Sequence, residues 1–242
     1  MLFGKRNLAF VTIAAVLGMI QVARSQSASY SVSQHGKPVG TATVTFANGP
    51  DGVTTTSVVR VTMQGLNYSI SKTEQLSRDN QIRHVQLSAT VNGSAVSVVV
   101  NTSGGQILMN TSANGRSSTA ALAQHDAAVF MPDFDPGALD RLLTQAAAHG
   151  GRDLWAVIPK GAGSIVPIEL STLADEQGTL DGKPVNVHHL IAVIRGARTD
   201  LFAGPANQLL QAELPQQGFA LVRNGFVLTP PAKAGAPPQP VE

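Results

Sequence analysis

Residues 84–101 read HVQLSATVNGSAVSVVVN, and this stretch decides the fold. Up to Val91 the apolar side chains Val85, Leu87, Ala89 and Val91 alternate with His84, Gln86, Ser88 and Thr90. A period of two is what a half-buried strand requires, because successive side chains leave opposite faces of the pleat. Asn92-Gly93 follows, a pair that takes the positive φ angles of a two-residue hairpin turn, and residues 94–101 form the returning strand. The expectation is an antiparallel hairpin.

The same reading extends outward in both directions. Upstream, residues 29–35 and 39–46 are joined by Gly36-Lys37-Pro38, and the second run places Ala42, Val44 and Phe46 on one face and Thr41, Thr43 and Thr45 on the other. Asn48-Gly49-Pro50-Asp51-Gly52 then turns the chain into a β-branched run over 53–63, and Gly65 separates that run from a strand over 66–76. Downstream, Ser103-Gly104-Gly105 precedes a strand over 106–111. Strands resume at 154–158, 164–170, 173–180, 185–194, 200–203, 208–214 and 219–228, with Asp181-Gly182 as a second hairpin turn.

Between about residues 116 and 151 the meander is interrupted. Asp135-Pro136 has the chemistry of a helix start: a carboxylate that caps free N–H groups, then a proline whose missing N–H is harmless in the first turn. Leu139, Leu142, Leu143, Ala146 and Ala147 fall at i, i+3, i+4, i+7 and i+8, and Gly150-Gly151 ends the run. The spacing predicts a helix over 136–149 that lays its apolar stripe on the sheet. Residues 185–194 are apolar on both faces, which predicts a sheet covered on two sides there. The fold class is therefore mostly β with one main helix: a large curved antiparallel sheet, or open barrel, packing on a helix.

The ends of the chain read differently. Lys5 and Arg6 precede an apolar run over 8–20, followed by the small residues Ala23 and Ser25. That order is a cleavable signal peptide over 1–25, too short to span a bilayer, which takes about 20 apolar residues. A single domain over 26–228 and a disordered Pro-rich tail over 229–242 complete the expected organisation. The formal charge of +2 comes from the leader: three of the 17 Lys and Arg (Lys5, Arg6, Arg24) lie in it without any Asp or Glu. The remaining 14 basic and 15 acidic residues give −1, which offers nothing to a nucleic acid. With no Cys, neither disulfides nor thiolate chemistry are available.

The residues that could carry chemistry each have a plainer role. His188 and His189 are adjacent on a strand and so point to opposite faces, and no carboxylate stands beside them or beside His84 in sequence to complete a metal site. Asp133, Asp135 and Asp140 lie near His125-Asp126, but a calcium loop begun at Asp133 would carry Thr144 where a bidentate Glu is required. Ser69-Ile70-Ser71-Lys72 has the Ser-x-x-Lys spacing of penicillin-recognising enzymes, yet a strand would separate Ser69 from Lys72 onto opposite faces. Gly161-Ala162-Gly163 reads as a loop. No catalytic or metal-ligating residue is nominated, and no cofactor is implied.

The hairpin around Gly36-Lys37-Pro38-Val39-Gly40 and the helix set into a long meander resemble uncharacterised bacterial periplasmic β-sheet proteins. With His189-Leu190-Ile191-Ala192-Val193-Ile194, Thr199-Asp200-Leu201-Phe202 and Asn207-Gln208-Leu209-Leu210, the layout is also similar to the lipoprotein-carrier (LolA-like) group. The resemblance implies a curved sheet that wraps a helix and encloses an apolar cavity for acyl chains. It transfers no site residue. The expected function is an exported, non-enzymatic protein of the periplasm or exterior, with no transmembrane segment once the leader is removed, that binds or carries an apolar or lipid-like ligand. One alternative is a structural or adaptor protein that docks an envelope protein partner through strand edges and the tail. Another is a hydrolase with His188 or His189 as base.

Overall fold

The computed structural model describes residues 25–230. The leader, apart from Ser25, and the tail beyond Pro230 lie outside the described residues. Eight strands form an antiparallel meander: β1 (Ser25–Gln34), β2 (Lys37–Gly49), β3 (Gly52–Met63), β4 (Leu66–Leu76), β5 (Ile82–Val91), β6 (Ser94–Ser103), β7 (Gln106–Ala113) and β8 (Arg116–Ala123). After β9 (Ala127–Phe130) comes the helix α1 (Pro136–Ala148), and β10 (Leu154–Ile158) returns parallel to β9. The remaining strands are β11 (Ser164–Thr172), β12 (Glu176–Leu180), β13 (Lys183–Ile194), β14 (Ala197–Ala203), β15 (Leu209–Leu214), β16 (Phe219–Arg223) and β17 (Phe226–Leu228).

β16 pairs with β1, Tyr30 lying opposite Arg223, so one sheet runs from β8 back through β1 and on through β16 to β10 and β9. It curls without closing. Among the described residues β8 pairs only with β7, and β9 only with β10. The gap is sealed by side chains instead: Val85, Leu87, Val100, Ile107, Phe130 and Val157 form one apolar cluster where β5–β7 lie over β9 and β10.

The Asn92-Gly93 turn takes its expected form, with φ of 50° and 82°, and Asp181-Gly182 repeats it at 51° and 76°. A Cβ at Gly93 would meet no atom within 4 Å. Gly93→Val is therefore expected to cost only the left-handed backbone penalty, about 1 kcal/mol, read as a lower urea midpoint at unchanged slope. An unchanged midpoint would show that this turn does not set the register of β5 and β6.

Helix α1 occupies the interior. Asp135 Oδ1 accepts from the Gly137 N–H at 2.9 Å, Pro136 opens the first turn, and the Gly151 N–H closes the end on the Ala146 carbonyl at 2.8 Å. Leu139, Leu142, Leu143 and Ala146 are buried in the main core with Val44, Val59 and Leu221. Ala147 is exposed, while Arg141 and Gln145 are buried in addition to the stripe. Gly137 lets the helix start rest directly on β2 and β3: a Cβ there would come within 2.5 Å of Ser57 Oγ and 3.0 Å of Val44 Cγ2.

The expected two-sided covering is not found in the first half of β13, where Val185 and Val187 face a buried cluster but Pro184, Asn186 and His188 on the other face are exposed. There β13 pairs with β12, which pairs in turn with β17. Val187, Phe202, Leu210 and Phe226 form a separate buried cluster on that side. Several boundaries differ from expectation. The interruption begins with two strands, β8 and β9, before the helix. Residues 219–228 are two strands broken at Asn224-Gly225, the first strand starts at Ser25, and β12 starts at Glu176.

Candidate functional site

Between β9 and α1, residues 131–134 cross the mouth of the curled sheet. The Met131 N–H donates to the Val157 carbonyl at 2.9 Å, and Tyr68 Oη donates to the Asp133 carbonyl at 3.2 Å. Burial, reinforced by Asp133 and Asp135, pushes the Tyr68 hydroxyl up, so it stays a donor. Phe134 has a φ of +56°, an uncommon conformation for a bulky side chain. Its ring stands edge-on to Tyr68 on one side (centroids 5.8 Å apart) and to Phe219 on the other (4.7 Å). At the rim, Lys160 Nζ lies 2.9 Å from Asp133 Oδ2, with the two side chains 67% and 44% exposed.

Two clefts flank this segment. The first, about 430 Å³, is walled by the inner face of β4–β7, including Ile70, Leu87, Ala89, Val96 and Val98. Thr111 also lines it, and its Oγ1 is buried without a hydrogen-bond partner among the described residues. The second cleft, about 490 Å³, is walled by Leu139, Ile158, Ile194, Leu214 and Leu221. Both volumes fall in the range of small-molecule sites, and an apolar wall with a few polar groups is the usual lining of such a site. A broader hollow of about 670 Å³ on the outer face is lined by short hydroxyl side chains such as Ser69, Ser71, Ser88 and Ser97 together with Arg60. It lacks the enclosed apolar wall of the mouth.

Beneath the mouth lies a fully buried ion cluster that anchors the crossing segment. Lys72 Nζ is 3.1 Å from Glu74 Oε2 and 2.5 Å from Asp135 Oδ2, and Arg141 pairs with Glu74 Oε1. Arg141 also donates to the carbonyls of Asn80 (2.7 Å) and Ala128 (2.9 Å), and Gln145 donates to Asn80 at 2.8 Å. Burial alone would lower Lys72, but Asp135 and Glu74 together hold it above its ordinary value. Burial would likewise raise Glu74, yet Lys72 and Arg141 hold its carboxyl below the usual range. Two cations and two carboxylates thus balance, as buried charges must.

Neither a family model nor a curated protein matches the chain. Among solved structures, the fold is similar to the beta-barrel-like protein of domain of unknown function DUF1849 from Brucella abortus. That likeness has a TM-score of 0.54 at 12% identity, covering 86% of this chain and 99% of that one. The shared fold is β-barrel-like. At this identity the likeness extends to the fold alone.

Within the β-barrel-like frame, the residues weighed from sequence are dispersed. His188 and His189 do diverge, but carboxylates reach them from the β11–β12 connection and from β12 and β14: His188 Nδ1 lies 2.9 Å from Asp175, and His189 lies between Glu176 (2.8 Å) and Asp200 (3.0 Å). His189 also stacks on Phe202. Cross-strand pairing brings these partners from positions 11 and 13 residues away, so adjacency in sequence could not show them. Among the described residues no group of three or more His, Asp or Glu is arranged to hold a metal ion. His84 is elsewhere, 2.8 Å from Asn101, and His125 stacks on Trp155. Asp126 accepts from Gln81, Asp133 faces Lys160, Asp135 caps the helix, and Asp140 accepts the Leu209 N–H at 2.8 Å. Ser69 and Lys72 sit on opposite faces of β4. Among the described residues no helix is long and apolar enough to cross a membrane.

Proposed function

We propose that this chain is an exported, non-enzymatic protein of the bacterial cell envelope, periplasmic or secreted, that binds an apolar or lipid-like ligand at the mouth of its curled sheet. The observation that carries this reading is the cleft of about 430 Å³ between the apolar inner face of β4–β7 and the strained segment 131–134, with an ion pair at its rim. A strained backbone and an incompletely filled apolar wall are features of ligand clamps. The layout resemblance to the lipoprotein-carrier group supports the same reading. Of the hydrolase alternative, the version with His189 as base is disfavoured because both of its ring nitrogens lie against carboxylates, whereas His188 meets a carboxylate, Asp175, through Nδ1 alone.

The test uses a neutral apolar fluorophore, N-phenyl-naphthylamine, with protein recovered from the extracytoplasmic fraction and its N-terminus sequenced. The expected N-terminus is Gln26. Fluorescence should rise on binding the wild-type protein and fall by about tenfold in affinity in Ala89→Trp, which fills the first cleft. No binding by the wild type removes the ligand reading, and a cytoplasmic protein with an intact leader removes the envelope reading.

A further inference from the structure

We infer that the ligand has two apolar arms diverging from one anionic head, one arm in each cleft and the head at Lys160. This rests on the reading of the mouth as an apolar site and specifies the shape of what fills it. The two clefts are similar in volume, about 430 and 490 Å³, and share the wall between them: Leu66, Met131, Pro132, Asp133, Phe134 and Lys160 line both. Phe134 is the partition. Its ring lies between Tyr68, which lines the first cleft, and Phe219, which lines the second.

The partition is held at the cost of a left-handed backbone at a bulky residue, a conformation that persists only where the surroundings enforce it. Here they do: the Met131 and Tyr68 hydrogen bonds fix one end, and the buried Asp135–Lys72 pair fixes the other. A rigid wedge between two apolar troughs suits a molecule that branches over it. A single chain would fill one trough and leave the other as it was.

The head assignment follows from charge and exposure. Lys160 borders both troughs at the point where arms straddling Phe134 would converge. Its partner Asp133 is itself exposed, and an exposed pair is worth only about 0–1 kcal/mol. Lys160 is therefore free to exchange Asp133 for a ligand anion. Arg195 adds a second cation on the second trough, where it donates to Ser164 Oγ at 2.5 Å. The chemistry that fits is a two-chain amphiphile with a phosphate or carboxylate head.

The experiment titrates the purified protein with three soluble short-chain lipids, read by native mass spectrometry and by displacement of N-phenyl-naphthylamine. They are phosphatidylglycerol (two chains, anionic), lysophosphatidylglycerol (one chain, same head) and phosphatidylcholine (two chains, zwitterionic). One phosphatidylglycerol per protein is expected, bound about tenfold tighter than either comparator. Ala89→Trp in the first trough and Thr199→Trp in the second should each lower phosphatidylglycerol to the level of the one-chain lipid. Lys160→Glu, at an exposed side chain whose replacement leaves the core intact, should weaken phosphatidylglycerol about five- to tenfold, a larger loss than for phosphatidylcholine, whose choline offsets the charge of its phosphate.

Equal affinity for one-chain and two-chain lipids, or a loss confined to one of the two tryptophan variants at unchanged unfolding midpoints, overturns the two-armed assignment. Indifference to Lys160→Glu overturns the head assignment. In each of those cases the neutral fluorophore still binds the wild-type protein and the apolar-site reading stands. Failure of the fluorophore itself removes that reading first.

Discussion

Replacing Lys72 with methionine is expected to lower the unfolding free energy at pH 7 by about 3–5 kcal/mol, although methionine fills nearly the same space. The side chain of Lys72 is fully buried, as are those of Glu74 and Asp135. Removing the cation leaves two carboxylates facing the single guanidinium of Arg141, and a buried charge without a counter-ion is the costly half of a broken pair. The deficit should shrink toward acidic pH, where the surplus carboxylate takes up a proton. Lys72→Met combined with Asp135→Asn restores neutrality and keeps a good helix cap, since Asn caps as well as Asp. That double variant should recover most of the loss, a non-additivity expected of residues in one network. A loss below about 1 kcal/mol in the single variant, by denaturant titration with unchanged slope, would mean that water reaches the cluster.

This cluster was legible in part. On β4 the even-numbered face runs Tyr68, Ile70, Lys72, Glu74, Leu76, so an alternating strand places two opposite charges among three apolar side chains on the core side. That violation of the pattern was available in the sequence as a signal for a buried pair. What it could not supply was Asp135 and Arg141, which arrive only when α1 is threaded through the curled sheet. As a helix cap, Asp135 has a sufficient local role that hides its second one. The structure assigns it both roles at once, one oxygen to the Gly137 N–H and the other toward Lys72.

Local turn chemistry and periodicity explain most of the fold that could be read in advance. Elsewhere the elements are marked by turns alone or are too short or too polar for a period to register. Asn114-Gly115 and Asn224-Gly225 are the same dipeptide that gave the hairpin at 92–93. They mark the entry to β8 and the break between β16 and β17. β8 is mostly exposed Ser, Thr and Ala with no large apolar alternation, and β9 is four buried residues in a parallel pairing, too short for a period to register. The mouth was not legible. Phe134 lies in a left-handed conformation because Tyr68, Phe219 and the two ends of its segment hold it there, and those two rings are 66 and 85 residues away from it in sequence.

The helix carries one further ionisable group whose removal is expected to act in the opposite direction. Asp140 accepts the Leu209 N–H at 2.8 Å, next to the carbonyl of the same residue that takes the Tyr30 hydroxyl at 3.0 Å. Burial pushes its carboxyl up to about 6, against weaker downward pulls from the Leu209 N–H and Arg223. In the unfolded chain an Asp titrates near 3.9. Between those values the folded state holds the proton more tightly, so the Asp140 contribution to stability falls as pH rises from about 4 to about 6, and the penalty is complete above that. About two pKa units correspond to about 3 kcal/mol, an upper bound for a half-buried group. Asp140→Asn keeps an acceptor for the Leu209 N–H and has no charge to desolvate. The variant should be more stable than the wild type by about 1–3 kcal/mol at pH 7, with the advantage gone by about pH 4. A gain that is constant across that range would assign the effect to packing instead of ionisation. A loss at pH 7 would mean that the charged hydrogen bond to Leu209 outweighs the burial of the carboxylate.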